Sequence, residues 1–520
     1  MPNFKHYDYN QNSMVVINFE DQIQPGTFEY AIHYLISDRL DLSIFNPKYN
    51  NEFGGRAAYD PAVLIKIILF AYSKGITSSR EIEWNCQNNI IFKALSCDTI
   101  PHFTTIASFV SGFPKQIEQL FEQVLLICHE EGLLGNELFA IDGCKMRSDA
   151  AKEWSGTFKE LEQKRSKIKQ QIKHCLKEHK KIDKRKSNGK ERAKRLAQTV
   201  DTLNKAHDKI DSFLNTSSPR MGHAKQRKEV KSNITDNQSA KMTTSKGTIQ
   251  GYNGVAAVDK KHQIVIEAQA FGAGAEYHTL KPMLDAIKSR YQRTGISDDI
   301  FASKTVVTAD TGFANEENMT YLREKKINGY IPDNQFRSRD PKFSQQKEKY
   351  GKRHQDKPRK RNVIPAIEFQ FDETNKLCIC PSGESLSYRG ERNDPNGHAK
   401  MFFEGRLNQC RHCDIKDQCM ENPDSANHRK GNGRQVSFTL ASKRKPTNTD
   451  WMKKRVDSKK GKLIYSHRMS VVEPVFGNIG TNKGLNRFSL RGKEKVQGQW
   501  QLFCMIQNIE KLMRYGEIAC

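Results

Sequence analysis

Apolar residues along the chain follow two periodicities, and each predicts a different element. In PAVLIKIILFAY, residues 61–72, they recur at helical spacing after the start signal Asp60–Pro61. In LFAID (138–142) and TVVTAD (305–310) a short apolar run ends on an aspartate, which is typical of a buried strand. Two more apolar runs within residues 251–272 predict a pair of strands joined by a tight turn. The pattern therefore predicts an α/β protein with helices packed on a mixed sheet.

A long polar stretch at residues 158–214 interrupts this pattern. It has almost no glycine or proline, and its apolar residues keep a three-four spacing in two runs around the turn signal Lys186–Gly189. We predict an antiparallel, coiled-coil-like helical hairpin inserted into the core. Its basic residues are interpreted either as a solvated arm or as a surface for DNA or a second chain. Residues 215–246 are polar and are predicted to be loop.

The net charge of the chain indicates which class of partner it binds. The 520 residues include 85 Lys and Arg against 60 Asp and Glu, a net charge of +25. This length allows two or three domains. The surplus of positive charge favours a polyanion, so DNA or RNA is a better partner than a membrane. A protein that is merely soluble and basic is the alternative. No signal peptide is recognised, and the best apolar run contains Lys66 and is too short for a membrane span. We expect a cytoplasmic, nucleoid-associated protein.

Cysteines cluster in one region. Five of the twelve lie within residues 378–419, and in a reducing compartment such clustering favours metal over disulfides. Cys410 and Cys413 have zinc-knuckle spacing, Cys380 in CPSG resembles the other half of such a site, and Cys419 completes four thiolates, with Cys378 as the spare. One structural Zn²⁺ is the hypothesis. An iron–sulfur cluster, or reduced cysteines without a metal, are the alternatives.

Three carboxylates have settings that suit metal-ion chemistry. Asp142 and Asp310 end their apolar runs, and Glu473 stands where Pro474 predicts the start of a helix, although Ser470 also allows a capping box there. Each acid alone is equally explained as a turn or cap residue. Two strand-end aspartates with a helix glutamate form the ligand set of a site for two Mg²⁺ ions, which Mn²⁺ can replace.

Other carboxylates and nearby bases complete the candidate site. Asp149, Asp259 and Glu267 are set aside because none ends an apolar run before glycine within a comparable motif. Arginine and lysine contacts to phosphate oxygens position a duplex without reading its sequence. The predicted DNA-binding residues around Glu473 are Tyr465, Arg468, Lys483, Arg491 and Lys493. Arg468 is the strongest candidate, and a solvated helix face is the alternative for Arg491 and Lys493.

Three segments carry a resemblance to a known family. FAIDGCKMRS around Asp142, VVTADTGFANEENMTYL around Asp310 and YSHRMSVVEPVFGNIG around Glu473 resemble DDE-type insertion-sequence transposases with an RNase H-like core. The resemblance runs over nearly the whole chain, including the N-terminal helical region and the cysteine-bearing insertion. One position departs from it: where the family tends to carry a base after FGNI, this chain has Gly480, and the nearest base is Lys483.

The resemblance implies a division of the chain and an activity. The expected parts are a helical N-terminal DNA-binding domain (1–130), catalytic core segments (131–150, 231–334 and 461–520), an inserted helical hairpin (151–230), and a basic linker with a cysteine-rich insertion (335–460). The expected activity is binding of the element's terminal inverted repeats, metal-dependent cleavage of the ends, and joining of the 3′-hydroxyl to target DNA by a homodimer or larger assembly. A catalytically silent DNA-binding regulator and a nuclease without strand transfer are the alternatives.

Overall fold

The structure is a computed structural model in two compact units. It describes residues 16–50, 54, 57–184, 190–222, 228–245, 247–343, 363–393, 399–440 and 446–517. One unit, here the core unit, comprises Met1–Asn334 and Met452–Cys520, and the other, here the cysteine unit, comprises Gln335–Trp451. The predicted linker falls largely in residues 344–362, outside the described residues. None of the described helices combines the length and the apolar character needed to cross a membrane.

Helices make up most of the described chain. In chain order they are α1 Phe28–Tyr34, α2 Pro61–Ser73, α3 Ser79–Asn88, α4 Ile90–Leu95, α5 Phe103–Gly112, α6 Pro114–Glu130, α7 Phe158–Lys184, α8 Lys190–Thr216, α9 Leu280–Arg293, α10 Glu316–Glu324, α11 Phe336–Arg339, α12 Leu407–Arg411, α13 Lys416–Cys419, α14 Asn448–Asp457, α15 Lys459–Gly477 and α16 Lys493–Tyr515. Predicted start signals recur as caps: Asp60 accepts from the Ala62 N–H at 2.7 Å, with Pro61 in the first turn of α2.

Strands of the core unit form one mixed sheet and two small ladders. They are β1 Leu138–Arg147, β2 Ser155–Gly156, β3 Arg220–Met221, β4 Glu229–Val230, β5 Ser232–Asn233, β6 Ala240–Thr244, β7 Gly247–Asp259, β8 Val265–Phe271, β9 Val306–Ala309 and β10 Asn328–Tyr330. The main sheet has the order β10-β9-β1-β7-β6, and β8 also pairs with β7. Strand β1 is antiparallel to β7 and parallel to β9, and β9 is parallel to β10. The predicted RNase H-like mixed sheet with helices is confirmed.

The C-terminal helix α16 is the centre of the core unit. It packs against β8 and against the N-terminal helices α6, α2, α5 and α1. Trp500 is fully buried and donates its Nε1–H to the Val255 carbonyl at 3.1 Å. A Cβ on Gly254 would lie 3.2 Å from the Trp500 ring, so this approach of helix and strand requires glycine. The N-terminal helices therefore share a core with the sheet, and their part in DNA recognition stays a prediction.

Helices α7 and α8 pack against each other where the hairpin is predicted. Leu161, Ile168, Ile210 and Phe213 form a small apolar cluster near its base. The predicted turn at Lys186–Gly189 lies largely outside the described residues, which end at 184 and resume at 190. The loop predicted for residues 215–246 is wrong in part. Four short strands, β3 to β6, lie in it, and β6 pairs with β7 at the edge of the main sheet.

The cysteine unit has its own small sheets and core. Strands β11 Gln370–Asp372 and β12 Leu377–Ile379 form a hairpin, and β13 Ser387–Asn393, β14 Ala399–Glu404 and β15 Gln435–Thr439 form an antiparallel sheet in that order. Its buried apolar cluster consists of Phe369, Cys378, Leu386, Met401, Phe403, Cys419, Val436 and Leu440. The partly buried residues Ile364, Phe371, Cys380, Ala399 and Phe438 pack against this cluster.

Candidate active site

Asp142 and Asp310 lie side by side because of the strand register. Strand β1 is parallel to β9, and Ile141 is the partner of Ala309. The next residue on each chain is therefore the aspartate. Neighbouring strands lie about 4.8 Å apart, so the two carboxylates share one edge of the β1/β9 pair. Asp310 directly follows its strand, and its Oδ1 accepts from the Thr311 N–H at 2.7 Å.

Asp142 differs from its predicted setting. It was expected at the tip of a strand, but β1 continues for five more residues to Arg147. Pairing with β9 stops at Ile141, whereas pairing with β7 continues to the end of β1. Asp142 is thus at the end of the parallel ladder but in the middle of its strand. Gly143 suits this position, since a Cβ there would lie 2.8 Å from Asn253 Oδ1.

Arg468 on α15 connects the two aspartates. Its Nη1 donates to Asp142 Oδ2 at 2.7 Å, and its Nη2 lies 4.0 Å from Asp310 Oδ1. Burial raises the pKa of Asp142, and the nearby Arg468 charge only partly opposes this effect. Burial alone would lower the pKa of Arg468, but the charge of Asp142 raises it overall. The arrangement is a cation held between two carboxylates.

Glu473 is not at the start of a helix. Helix α15 begins at Lys459, where Ser458 caps it by accepting from the Gly461 N–H at 3.0 Å. Glu473 is exposed, five residues after the buried Arg468. At 3.6 residues per turn, five residues turn the side chain about 140° away. The buried residues of this stretch are instead Val471, Val472 and Val475, and the grouping of Glu473 with the two aspartates stays a prediction.

Pro474 misled the sequence interpretation because it lies inside the helix. Proline has no N–H, so the carbonyl of Ser470, four residues earlier, lacks its helical donor. Gln263, in the turn between β7 and β8, supplies the missing hydrogen bond: its Nε2 donates to the Ser470 carbonyl at 2.9 Å. A distant side chain therefore makes this proline compatible with the helix.

Glu276 is a carboxylate of this site that the sequence interpretation missed. It begins a short 3₁₀ turn after β8, and its Oε1 lies 3.8 Å from Lys145 Nζ. Burial raises its pKa, and the charges of Asp142 and Asp310 raise it further. A side chain on Gly312, in the turn after Asp310, would collide with this carboxylate. An acid directly after a strand and the glycine-rich segment FGAGAE is the sequence signal that could have found it.

The predicted DNA-binding residues differ in accessibility. Lys483 is a correction: it is buried and bonded to Glu510 at 2.6 Å, so its charge is not available to a phosphate. Arg468 is likewise buried and occupied by Asp142, and the Tyr465 ring lies 5.9 Å from its guanidinium. Arg491 is exposed and bonded to Asp149 at 3.0 Å, and Lys493 is exposed at the start of α16.

The carboxylates set aside from the sequence have other partners. Asp259 accepts from the backbone N–H groups of Gly135, Asn136 and Lys261 at 2.7–3.1 Å. Glu267 is paired with Arg290 at 2.8 Å. Asp149 is paired with Arg491 and Arg487. Each therefore has a structural explanation.

The predicted thiolate ligands lie together in the cysteine unit. Cys380, Cys410, Cys413 and Cys419 all line one cavity of about 540 Å³, whereas Cys378 is fully buried in the apolar cluster. Within the part of the chain that the structure describes, no three or more His, Cys, Asp or Glu side chains are arranged to hold a metal ion as they stand. This holds for the thiols and for Asp142, Asp310 and Glu473.

Two family models match the chain. Residues 379–513 match the model described as "Transposase DDE domain", a range that contains Glu473, Arg468 and the four cavity cysteines. Residues 17–112 match the model described as "Transposase domain (DUF772)". Among curated proteins no match is found. With the RNase H-like sheet, these matches support an insertion-sequence DDE transposase.

Proposed function

We propose that the protein binds the terminal inverted repeats of its own element, hydrolyses the DNA at each end and joins the released 3′-hydroxyl to double-stranded target DNA. One observation carries this proposal: Asp142 and Asp310 follow paired residues on adjacent parallel strands and face a single buried cation. Phosphoryl transfer needs carboxylates gathered in this way, because they hold divalent ions against the scissile phosphate.

Divalent-metal dependence follows from the family in general, and Mg²⁺ is the ion we propose. The residues present fit such an ion, because Asp142 and Asp310 offer hard oxygen donors beside a position that already favours positive charge. When bound, a pair of Mg²⁺ ions would activate the attacking oxygen and stabilise the leaving oxygen. Asp142 and Asp310 would hold the ions.

The third carboxylate has two candidates. Glu473 is the candidate from the sequence, on the same helix as Arg468. Glu276 is the candidate from the structure, since it is half-buried and a side chain on Gly312, in the turn that follows Asp310, would collide with its carboxylate. Cleavage by Glu473→Gln and Glu276→Gln variants distinguishes them, because only loss of a metal ligand should change the Mg²⁺ concentration needed for cleavage.

Arg468 and the exposed bases have separate tasks in this proposal. Arg468 neutralises the two aspartates while no metal is bound, which keeps two like charges together in a buried place. Arg491 and Lys493, both exposed, would contact phosphates. A dimer or larger assembly is proposed because two element ends must be processed together.

The test is cleavage of DNA that carries the flanks of the gene, with Mg²⁺ or Mn²⁺ present. Asp310→Asn should lower cleavage by roughly 100-fold or more, since even outer-shell metal partners are typically worth 10–100-fold, and it should leave DNA binding intact. Asp298→Asn is the matched control, because Asp298 is exposed and precedes β9, whereas Asp310 follows the other end of that strand. It should cleave like the wild type.

Three results would contradict the proposal. Cleavage that persists in Asp310→Asn would remove the aspartate from the site. Cleavage at fixed flank positions without joining would favour a nuclease. Binding to the flanks without any cleavage by the wild type would favour a regulator.

A further inference from the structure

Four cysteines of the cysteine unit converge from three separate segments. Cys380 follows β12, Cys410 lies in α12, Cys413 comes two residues after that helix, and Cys419 ends α13. All four line the same cavity of about 540 Å³. Cys378, two residues before Cys380, is fully buried in the apolar cluster and does not line the cavity. Cys419 also belongs to that cluster and Cys380 packs against it, so the cavity lies directly beside the apolar core of the unit.

The segment around Cys380 forms a tight turn. The Cys380 N–H donates to the Glu384 carbonyl at 2.8 Å, and the Gly383 N–H donates to the Cys380 carbonyl at 2.8 Å. Gly383 has φ +84°, a left-handed conformation that glycine adopts without strain. Cys380 therefore stands at the start of a tight turn whose backbone is fixed by two hydrogen bonds.

Backbone groups lie close around the sulfur of Cys410. The Arg434 N–H donates to Cys410 Sγ at 3.5 Å. A Cβ on Gly405 would lie 2.6 Å from this sulfur, and one on Gly433 would lie 3.1 Å from it. On the other side of the cavity, Ser382 Oγ lies 3.3 Å from Cys413 Sγ. A backbone N–H that donates to sulfur, like that of Arg434, stabilises thiolate, the form that binds metal.

Charge at the cavity also suits a thiolate site. Four thiolates around one Zn²⁺ carry a net charge of −2, which is costly to bury without a nearby positive group. Arg434 also lines the cavity and supplies such a positive group.

We infer that Cys380, Cys410, Cys413 and Cys419 bind one structural Zn²⁺. A bound Zn²⁺ would lie about 2.3 Å from each of the four sulfurs, and binding would release the thiol protons. The site joins β12 to α12 and α13 and so adds stability to a unit whose apolar cluster has eight buried residues. The inference does not depend on the proposed DNA chemistry, because the ion is structural.

The test is the metal content of the full-length chain, purified without metal-affinity chromatography and measured by elemental analysis. We expect about one zinc per chain, as for a Cys₄ site. Cys413→Ser should lower the content at least about 10-fold, and it should make the cysteine unit sensitive to protease. Cys378→Ala and His412→Ala are the matched controls: the first removes the buried spare, the second removes a cavity residue that is not a ligand. Both should retain zinc.

Reconstitution with Co²⁺ keeps the test decisive if Cys413→Ser folds poorly. The wild type and Cys378→Ala should both show thiolate-to-cobalt charge-transfer absorption, and an excess of Zn²⁺ should remove it. Any of four results overturns the inference: wild-type protein without zinc or cobalt binding, equal zinc in Cys413→Ser, iron with sulfide in place of zinc, or a Cys410–Cys413 disulfide in the protein from cells.

Discussion

Two buried arginines of the core unit each pair a helix with carboxylates of the sheet, but they differ in how completely they are satisfied. Arg290 on α9 is 1% exposed and makes two bonds to Glu267, at 2.8 and 3.0 Å, and one to Glu122 at 2.9 Å. Arg468 on α15 makes one short bond, to Asp142, and its Nε is buried without a hydrogen-bond partner. The first is a closed ion-pair cluster and the second is only partly paired.

The carboxylates of the two clusters differ in exposure, and those beside Arg468 are the more exposed. Glu267 is 1% exposed, whereas Asp142 is 21% and Asp310 38% exposed. A guanidinium that lies 4.0 Å from one carboxylate and lacks a partner at Nε can give up its place to another cation at little cost. A guanidinium whose donors all have acceptors cannot be replaced by another cation in this way. We therefore interpret the Arg290 cluster as structural and the Arg468 cluster as a place where cations exchange.

The largest effect on stability is expected at Arg290. Arg290→Met keeps an apolar stem beside Phe121 but leaves Glu267 charged, buried and unpaired, so the free energy of unfolding should fall by about 3–5 kcal/mol. Arg293→Met is the matched control, since Arg293 also bonds to Glu122 but is 53% exposed. It should cost less than about 1 kcal/mol. Urea unfolding measures both, and equal losses would mean that the Arg290 cluster is not closed.

An intermediate loss of stability is expected at Arg468, and the size of this loss should depend on Mg²⁺. Arg468→Met leaves Asp142 without its counter-charge, but water and protons reach this acid, so the loss should be at most about 3 kcal/mol. Mg²⁺ should restore part of it, because an ion that binds only the folded state adds about 1.4 kcal/mol for each tenfold excess over its Kd. Arg290→Met should show no such gain. An equal Mg²⁺ response in both variants would contradict the distinction.

The part of the site around Asp142 and Asp310 could be predicted only partly from the sequence. Apolar runs ending in Asp142 and Asp310 predicted two strands with acids at one edge, and the structure has both strands. That β1 continues past Asp142 could not be predicted, because GCKM is held in the strand only by pairing with β7. The register that aligns Ile141 with Ala309 is a tertiary property as well.

The settings of Lys483, Pro474 and Glu276 also depend on tertiary contacts, so they were harder to predict. Lys483 has the sequence signature of a surface base, yet Glu510 makes its burial favourable. Pro474 has the signature of a helix start, yet a side chain more than 200 residues away supports it inside α15. Glu276 follows a strand and the glycine-rich segment FGAGAE, but only the fold shows that it lies near the two aspartates. In each case the partner that decides the outcome is distant in sequence.

The smallest change in the free energy of unfolding is expected at Glu276. The sign of that change distinguishes the Arg468 cluster from the Arg290 cluster. Because the pKa of Glu276 is raised in the folded protein, its ionisation costs stability as pH rises through that folded value. Glu276→Gln should therefore match the wild type below about pH 4 and be more stable at neutral pH, by less than about 1 kcal/mol. Glu267→Gln should do the opposite at neutral pH, since it deprives Arg290 of its bidentate partner. Urea unfolding across this pH range measures both differences. If Glu276→Gln also lost stability at neutral pH, Glu276 would belong to a closed ion-pair network, and an exchangeable site around Asp142 and Asp310 would lose its support.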